Sequence, residues 1–180
     1  MIYVQSERIT VRDLRPEDIP VFVAEELAQG WHATAEKYLQ RLRDRDAGKC
    51  IPLTAEYDGH PAGYVSLYFA PVHGPFVGMG WPEIVDFAVL EKYRRRGAGT
   101  ALMDAAERLA AERADTVTLG VGLHSGYGSA QRMYGKRGYL PDGSGVWFRD
   151  EPCAPYGPCV NDDDLIMYLS KNIKQKEETL

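Results

Sequence analysis

The stretch Glu83–Thr100, EIVDFAVLEKYRRRGAGT, predicts a strand that leads through a basic, glycine-rich turn into a helix. Residues 84–89 are apolar except for Asp86, a pattern typical of a strand buried on both faces. The turn Arg94–Gly99 then supplies three arginines and two glycines. Because the first amides of a helix lack intrahelical partners and lie at the positive end of its dipole, this turn predicts a site for a phosphate or pyrophosphate.

The spacing of this turn disfavours two common nucleotide-binding motifs. A P-loop requires a Lys followed by Ser or Thr after its second glycine, and no such pair occurs here. A dinucleotide-binding loop has Gly or Ala three residues after its second glycine, whereas Leu102 stands at that distance from Gly99. A nucleotide-binding regulatory domain is therefore a weak interpretation of this chain.

Composition limits the classes of protein and partner that fit the chain. With 180 residues, 44% of them apolar and 26% charged, it fits a soluble globular protein made of one domain. The net charge of −5 disfavours nucleic acid and membrane surfaces as partners. Three cysteines, at 50, 153 and 159, have no zinc-like spacing, so we expect reduced thiols, no metal and a cytoplasmic location. No apolar run suggests a signal peptide or a membrane span.

Periodicity and turn residues predict seven strands and four helices in one domain, with a charged, frayed tail at 171–180. Asp58-Gly59 is a hairpin turn signal, and the Pro- and Gly-rich segments 70–81 and 151–164 are predicted loops. We interpret the polar rows of the first two helices as solvated faces. The strands are expected at 7–14, 50–57, 60–69, 84–89, 117–122, 145–149 and 165–169, and the helices at 18–29, 34–48, 100–114 and 125–137.

Two motifs in this order resemble those of the GNAT superfamily of N-acetyltransferases. The first is Arg94-x-x-Gly97-x-Gly99 behind its strand, and the second is Ala130-x-x-Met133-Tyr134-x-x-x-Gly138-Tyr139. The resemblance covers about residues 7–169 in element order. It implies an α/β (α+β type) GNAT fold, in which a central mixed, twisted sheet of about seven strands is flanked by about four helices.

The resemblance also implies an activity, namely the transfer of an acetyl group from acetyl-CoA, as co-substrate, to a primary amine by direct attack. Tyr134 matches the tyrosine that protonates the departing thiolate. Tyr127 stands where many relatives have an asparagine that contacts CoA, so that particular contact is a departure from the family pattern. The residues implied in binding acetyl-CoA are Phe87, Ala88, Val89, Arg94, Arg95, Arg96, Gly97, Ala98, Gly99, Thr100, Tyr127 and Ala130.

Two carboxylates are candidates for the general base that deprotonates the amine. Glu83 begins the central strand, fourteen residues before Gly97, a spacing similar to that of the catalytic glutamate in the histone-acetylating branch of the family. Asp86 is the only charge within the apolar run, and its alternative role is that of a paired structural carboxylate. A bulge in the strand would change which face each one occupies. We choose Glu83 over Asp86.

Other interpretations stay open at this point. The same fold could serve as a non-catalytic acyl-CoA-binding sensor or interaction module. The acceptor is expected to be a small-molecule or peptide amine, and a homodimer is possible. Acidic residues at 150, 151 and 162–164 could attract a cationic amine, but we favour their interpretation as a solvated turn before the last strand. We interpret His73 as a solvated loop residue.

Overall fold

The computed structural model describes residues 1–174, which form one nine-stranded sheet and four α-helices. The α/β class and the four helices are as predicted. The helices are Asp18–Ala28 (α1), Ala35–Asp46 (α2), Ala98–Ala111 (α3) and Gly128–Lys136 (α4). The strands are Ile2–Gln5 (β1), Ile9–Asp13 (β2), Cys50–Tyr57 (β3), His60–Tyr68 (β4), Glu83–Val89 (β5), Thr116–Gly122 (β6), Leu140–Phe148 (β7), Glu151–Pro152 (β8) and Leu165–Asn172 (β9).

The prediction of about seven strands was wrong because two short strands carry no readable pattern. Strand β1 has four residues and β8 has two, one of them a proline, so neither is long enough to show an alternation. The predicted frayed tail was also wrong at its start, because Lys171 and Asn172 belong to β9. The remainder of that prediction, from residue 175 onward, lies outside the described residues.

The chain divides into two compact units, each assembled from two separate segments. The first comprises Met1–Tyr68 with Ile84–Leu109, and its strands follow the order β1-β2-β3-β4-β5. The hairpin between β3 and β4 turns at Asp58 and Gly59, both with positive φ (49° and 79°), as the Asp-Gly signal predicts. The core of this unit includes an aromatic trio on α1, α2 and β4, in which Phe22, Tyr38 and Tyr64 have ring centroids 5.1–5.6 Å apart.

The second unit comprises Phe69–Glu83 and the residues from Ala110 onward, with the strand order β6-β9-β7-β8. Strand β9 pairs antiparallel with both β6 and β7, so that Tyr168 lies opposite Gly120 and Ile166 opposite Trp147. The register of β7 shifts between Pro141 and Val146, which is a bulge. Trp147 and Tyr168 meet edge to face, with centroids 5.4 Å apart.

The interpretation of the helical polar rows as solvated faces was wrong at several positions. Glu26 is 1% exposed and accepts a hydrogen bond from the Tyr64 hydroxyl. Asp18 is 2% exposed, with its two oxygens 2.7 and 2.8 Å from the Arg12 guanidinium. Charged groups remain stable inside a protein only when they are paired in this way. The partners are distant in the sequence, so the helical pattern alone did not reveal them.

No helix among residues 1–174 combines the length and the apolar character that crossing a membrane would require. A 3-10 turn at Ser125–Tyr127 precedes α4, so the single helix expected at 125–137 is divided in two. The assignment of residues 1–180 to one domain stays a prediction.

Candidate active site

The basic turn of the first unit ends directly at the N-terminus of α3. The helix begins at Ala98, and the turn before it contains positive φ angles at Arg95 (60°) and Gly97 (92°). Ala101 donates its amide to the Gly97 carbonyl over 3.0 Å, so the first intrahelical bond starts at Gly97. The amides of Ala98, Gly99 and Thr100 therefore precede that first bond and have no carbonyl to reach within the helix.

Gly99 allows the first turn of α3 to approach β5 closely. A Cβ atom at this position would lie 3.2 Å from the Phe87 ring and 3.3 Å from a Val89 methyl group. Because these are tight contacts, a larger residue at 99 would displace the neighbours. Phe87, Val89 and the helix N-terminus are thereby brought together within the first unit.

The three arginines of the turn are solvent-exposed. Arg94 donates through Nε to the Val89 carbonyl over 3.3 Å and lies 5.5 Å from the Trp31 ring centroid. Arg96 lies 5.4 Å from the Tyr57 ring centroid. Exposed guanidinium groups beside a helix N-terminus are the donors that a pyrophosphate requires, so the residues present fit the diphosphate of acetyl-CoA.

Strand β5 is interrupted at Asp86, whose φ of 54° is left-handed. An aspartate tolerates this conformation better than most residues, and a left-handed residue inside a strand is typical of a bulge. The prediction that β5 is buried on both faces was wrong, because Ile84 alone is buried and the other six residues are half-buried. Ala88 lies between Phe87 and Val89 in this half-buried stretch, and Gly63 on β4 faces its carbonyl, where a Cβ would come within 2.6 Å of the oxygen.

Asp86 is paired with Arg41 on α2, a residue that sequence reasoning missed. Arg41 donates to Oδ2 of Asp86 from Nε, over 2.9 Å, and also from a terminal nitrogen. A further Arg41 nitrogen reaches the hydroxyl of Tyr68, which in turn donates to Asp44 over 2.6 Å. Burial alone would lower the pKa of Arg41, but the charge of Asp86 and the hydrogen bonds to Asp86 and Tyr68 together raise it overall. The lone charge in an apolar strand was the available signal that a partner must exist.

Glu83, at the start of β5, belongs to the second unit and has a different environment. Burial first, and then the nearby charge of Asp150, raise the pKa of Glu83 to about 7. Glu83 and Asp150 also affect Tyr168. Burial first, and then the charge of Glu83, raise the pKa of Tyr168 to about 12. Asp150 lies 3.6 Å from His73, so the histidine that we interpreted as merely solvated contacts a carboxylate.

Aromatic rings accompany these carboxylates. Phe76 lies 5.8 Å from Trp81 and 6.1 Å from Tyr168, measured between ring centroids. A Cβ at Gly74 would come within 2.3 Å of the Tyr168 ring, so the segment 70–81 lies directly against β9 at this point. The second unit therefore combines a weakly acidic carboxyl, a second carboxylate and several rings, which are groups that can receive an ammonium ion.

Tyr134 lies on α4 and is 5% exposed. Its ring meets that of Tyr139 edge to face at 5.7 Å. Burial, and secondarily Tyr127, raise the pKa of Tyr134 above its usual value, so its phenol keeps its proton at neutral pH. Such a group can act as a proton donor but not as a base.

Tyr127 ends the 3-10 turn before α4, and Ala130 lies in the first turn of that helix, half-buried. The Tyr127 hydroxyl donates to Asp163 over 2.8 Å, and the same carboxylate oxygen lies 2.9 Å from Nε2 of His124. A Cβ at Gly122 would come within 2.3 Å of the Tyr127 ring. The structure thus places Tyr127 against the end of β6, with contacts to His124 and Asp163 that the sequence did not indicate.

Within residues 1–174 no group of three or more His, Cys, Asp or Glu side chains has the geometry of a metal site. In the first unit the structure brings the turn Arg94–Thr100 together with Phe87 and Val89. In the second unit it brings Glu83 into the same electrostatic environment as Asp150 and Tyr168.

Comparison with known structures gives the same fold. The ribosomal-protein-S18-alanine N-acetyltransferase from Escherichia coli is 16% identical over 96% of this chain and 98% of its own, with a TM-score of 0.65. Ard1 from Thermoplasma volcanium is 21% identical over 93% and 99%, with a TM-score of 0.66. The putative acetyltransferase yncA from Salmonella typhimurium, solved with its cofactor acetyl-CoA, is 14% identical over 95% and 97%, with a TM-score of 0.65.

A search of curated proteins found no significant match. A family model does match, however, and it covers most of the chain. The model is that of the acetyltransferase (GNAT) family, and it spans residues 12–139, including the whole of β5, the basic turn and the helix that carries Tyr134. The chain belongs to the GNAT acetyltransferase family.

Proposed function

We propose that the protein transfers an acetyl group from acetyl-CoA to a primary amine, which attacks the thioester directly while both substrates are bound. The observation that carries this proposal is the match to the acetyltransferase family over residues 12–139, in a chain that retains a basic, glycine-containing turn before α3. Acetyl-CoA supplies an activated acyl carbon and a thiolate leaving group. The residues of the chain must bind it, remove one proton and supply another.

In this proposal the diphosphate is bound by residues Arg94–Thr100. The exposed guanidinium groups of Arg94, Arg95 and Arg96 supply positive charge, and the amides that follow Gly97 supply directed donors. The backbone of Phe87, Ala88 and Val89 would bind the amide groups of the pantetheine arm. The half-buried character of this stretch, which the sequence did not predict, supports that role.

Glu83 is the proposed general base. A carboxyl with a pKa of about 7 is ionised in roughly half of the molecules at neutral pH, and it is a stronger base than an ordinary glutamate. Tyr134 is the proposed general acid, because its phenol stays protonated at the pH at which Glu83 ionises. Asp86 is the second candidate for the base, but its bonds to Arg41 favour a structural role.

The acceptor is proposed to be a small-molecule or peptide amine. The E. coli relative acts on the alanine of a ribosomal protein, and another relative, from Salmonella typhimurium, modifies the N-terminal serine of ribosomal protein L7/L12. The carboxylates and rings of the second unit suit a cationic amine. A cytoplasmic location is likewise part of the proposal.

The test is a turnover assay on the purified protein with acetyl-CoA, followed by mass spectrometry of the acceptors. The panel should contain peptides that begin with Ala or Ser, the same peptides with a blocked N-terminus, and small primary amines. Acetylated product with release of free CoA is the expected result. Binding of acetyl-CoA without any acetylated product across the panel would favour the non-catalytic acyl-CoA-binding module instead.

A further inference from the structure

Lys37, in the first turn of α2, places its ammonium group against a buried carboxylate and two tyrosine rings of the first unit. Its Nζ donates to the Tyr64 hydroxyl over 2.8 Å and to Oε1 of Glu26 over 3.3 Å. The same nitrogen lies 4.6 Å from the centroid of the Tyr38 ring and 4.6 Å from that of the Tyr64 ring. The two rings are nearly perpendicular, at 83°, so they form two walls beside one cation. A carboxylate and aromatic faces in this arrangement are groups that recognise an ammonium ligand.

The lysine does not use every polar atom of this site. Glu26 and Tyr38 are buried, yet Oε2 of Glu26 and the Tyr38 hydroxyl form no hydrogen bond with any of residues 1–174. The bond from Lys37 to Oε1 is also long, at 3.3 Å against about 2.7–2.9 Å for a typical charge-assisted hydrogen bond. Because a buried carboxylate oxygen without a donor lowers stability, a ligand that donates to Oε2 gains affinity there.

Lys37 can leave the site while the site keeps its shape. The Lys37 side chain is 30% exposed, whereas that of Glu26 is 2% exposed. Phe22 contacts both tyrosines, stacked on Tyr38 and edge to face with Tyr64, with centroids 5.6 and 5.1 Å away. The two tyrosine rings are therefore held by core packing that does not involve the lysine. Withdrawal of Lys37 to the solvent vacates the path of its own aliphatic chain.

We propose that Glu26, Tyr38 and Tyr64 form a binding site for a small, linear primary amine, whose ammonium group displaces that of Lys37. A ligand ammonium has three N–H donors and is not tied to α2, so it can donate to both Glu26 oxygens and to Tyr64. Because one cation replaces another, Glu26 is never left as an unpaired buried charge. The alkyl chain of the ligand follows the path that the lysine chain vacates, which excludes branched and quaternary amines. This inference concerns binding only and does not depend on the proposed acetyl transfer.

The test measures the binding of n-butylammonium, which reproduces the four-carbon chain of lysine, by calorimetry at constant ionic strength and without acetyl-CoA. Lys37→Ala removes the internal competitor, so we expect it to bind n-butylammonium at least about tenfold more tightly than the unaltered protein does. Lys37→Gln keeps most of the chain but not the charge, so it should also bind more tightly, by a smaller factor. Arg43→Ala removes an exposed cation from the same helix and should leave the affinity unchanged. Tetramethylammonium should bind to none of these proteins.

Melting curves give an independent measurement of the same site. Lys37→Ala should melt about 3–8 °C lower than the unaltered protein, because Glu26 loses its cation, and n-butylammonium should restore that temperature, whereas butanol should not. Adding Glu26→Gln to Lys37→Ala should abolish the binding. The absence of saturable binding to Lys37→Ala, equal affinities in Lys37→Ala and the unaltered protein, or binding that persists after Glu26→Gln would each overturn the proposal.

Discussion

Two carboxylates lie three residues apart on strand β5, and they differ in whether a cation is paired with them. Glu83 has no cation among the groups that shift its pKa, and burial together with Asp150 raises that pKa to about 7. Asp86 is held by the guanidinium of Arg41. Both side chains are half-buried, so exposure alone does not distinguish them. A cation partner, more than the degree of burial, therefore distinguishes a candidate base from a structural ion pair.

The largest effect should follow from Glu83→Gln, which removes the base but keeps the shape. We expect the maximal rate with a good acceptor to fall by about 10²-fold or more at pH 7, and by less at high pH, where more of the amine is already neutral. The pH–rate profile of the unaltered protein should rise as Glu83 loses its proton near pH 7. An unchanged profile in Glu83→Gln would remove Glu83 from the mechanism.

The same substitution should make the folded protein more stable, although it lowers the rate. The folded pKa of Glu83 is raised from about 4.5 to about 7, so ionisation opposes folding; the penalty is absent below pH 4.5 and complete above pH 7. Because the side chain is only half-buried, we expect Glu83→Gln to stabilise the protein by about 1–3 kcal/mol at pH 8 and negligibly at pH 4. Chemical denaturation at the two pH values measures this difference.

Tyr134→Phe should lower the maximal rate by roughly 10²-fold, because it removes the proton donor but keeps the ring. In this variant the rise of the rate near pH 7 should remain, because Glu83 is unchanged. Affinity for CoA should change little. Full turnover in Tyr134→Phe would show that Tyr134 only packs.

Gly99→Asp should weaken acetyl-CoA binding by about tenfold or more, because it places a negative charge where the diphosphate is expected. The close contacts of Gly99 with Phe87 and Val89 make a control necessary. Gly99→Asn has nearly the same size without the charge, so the difference between the two variants isolates the electrostatic effect. Equal affinities in the two variants, measured by calorimetry, would argue against this location for the diphosphate.

Asp86→Asn should act mainly on stability. Asparagine tolerates the left-handed φ of this position, so the substitution removes the charge without adding backbone strain. Leaving Arg41 without its ion pair should cost about 1–2 kcal/mol, or roughly 3–6 °C in melting temperature. A double-mutant cycle with Arg41→Met measures the coupling. A folded Asp86→Asn protein that loses activity, with rescue at high pH, would reverse the two assignments.

The smallest effect is expected for Asp150→Asn. Removing this charge should lower the pKa of Glu83, so the rise of the rate shifts toward lower pH. The shift should be the smaller part of the total rise in the pKa of Glu83, because burial is the larger cause of that rise. Glu151→Gln, next to it in the chain, serves as a control for a general change in charge.

Local signals in the sequence predicted much of the fold, whereas they did not predict which side chains pair over long distances in the sequence. The Asp58-Gly59 turn and the glycines before α3 act on their own backbone, so they can be read directly. The bond between Arg41 and Asp86 joins residues 45 positions apart; the lone charge in the apolar strand indicates that a partner exists, but nothing near either residue identifies it. The same holds for Glu83 and Asp150, and therefore for the pKa on which the proposed chemistry depends.

The interleaving of the two compact units has a consequence for biosynthesis. In the first unit, Met1–Tyr68 is synthesised before Ile84–Leu109, the segment that completes the unit. In the second unit, Phe69–Glu83 is synthesised before the chain from Ala110 onward. Neither unit therefore corresponds to one uninterrupted stretch of the chain, and a single fragment that contains all of one unit also contains a segment of the other. Most of the polypeptide must be synthesised before either hydrophobic core closes, which lengthens the time during which apolar surface of the growing chain stays exposed.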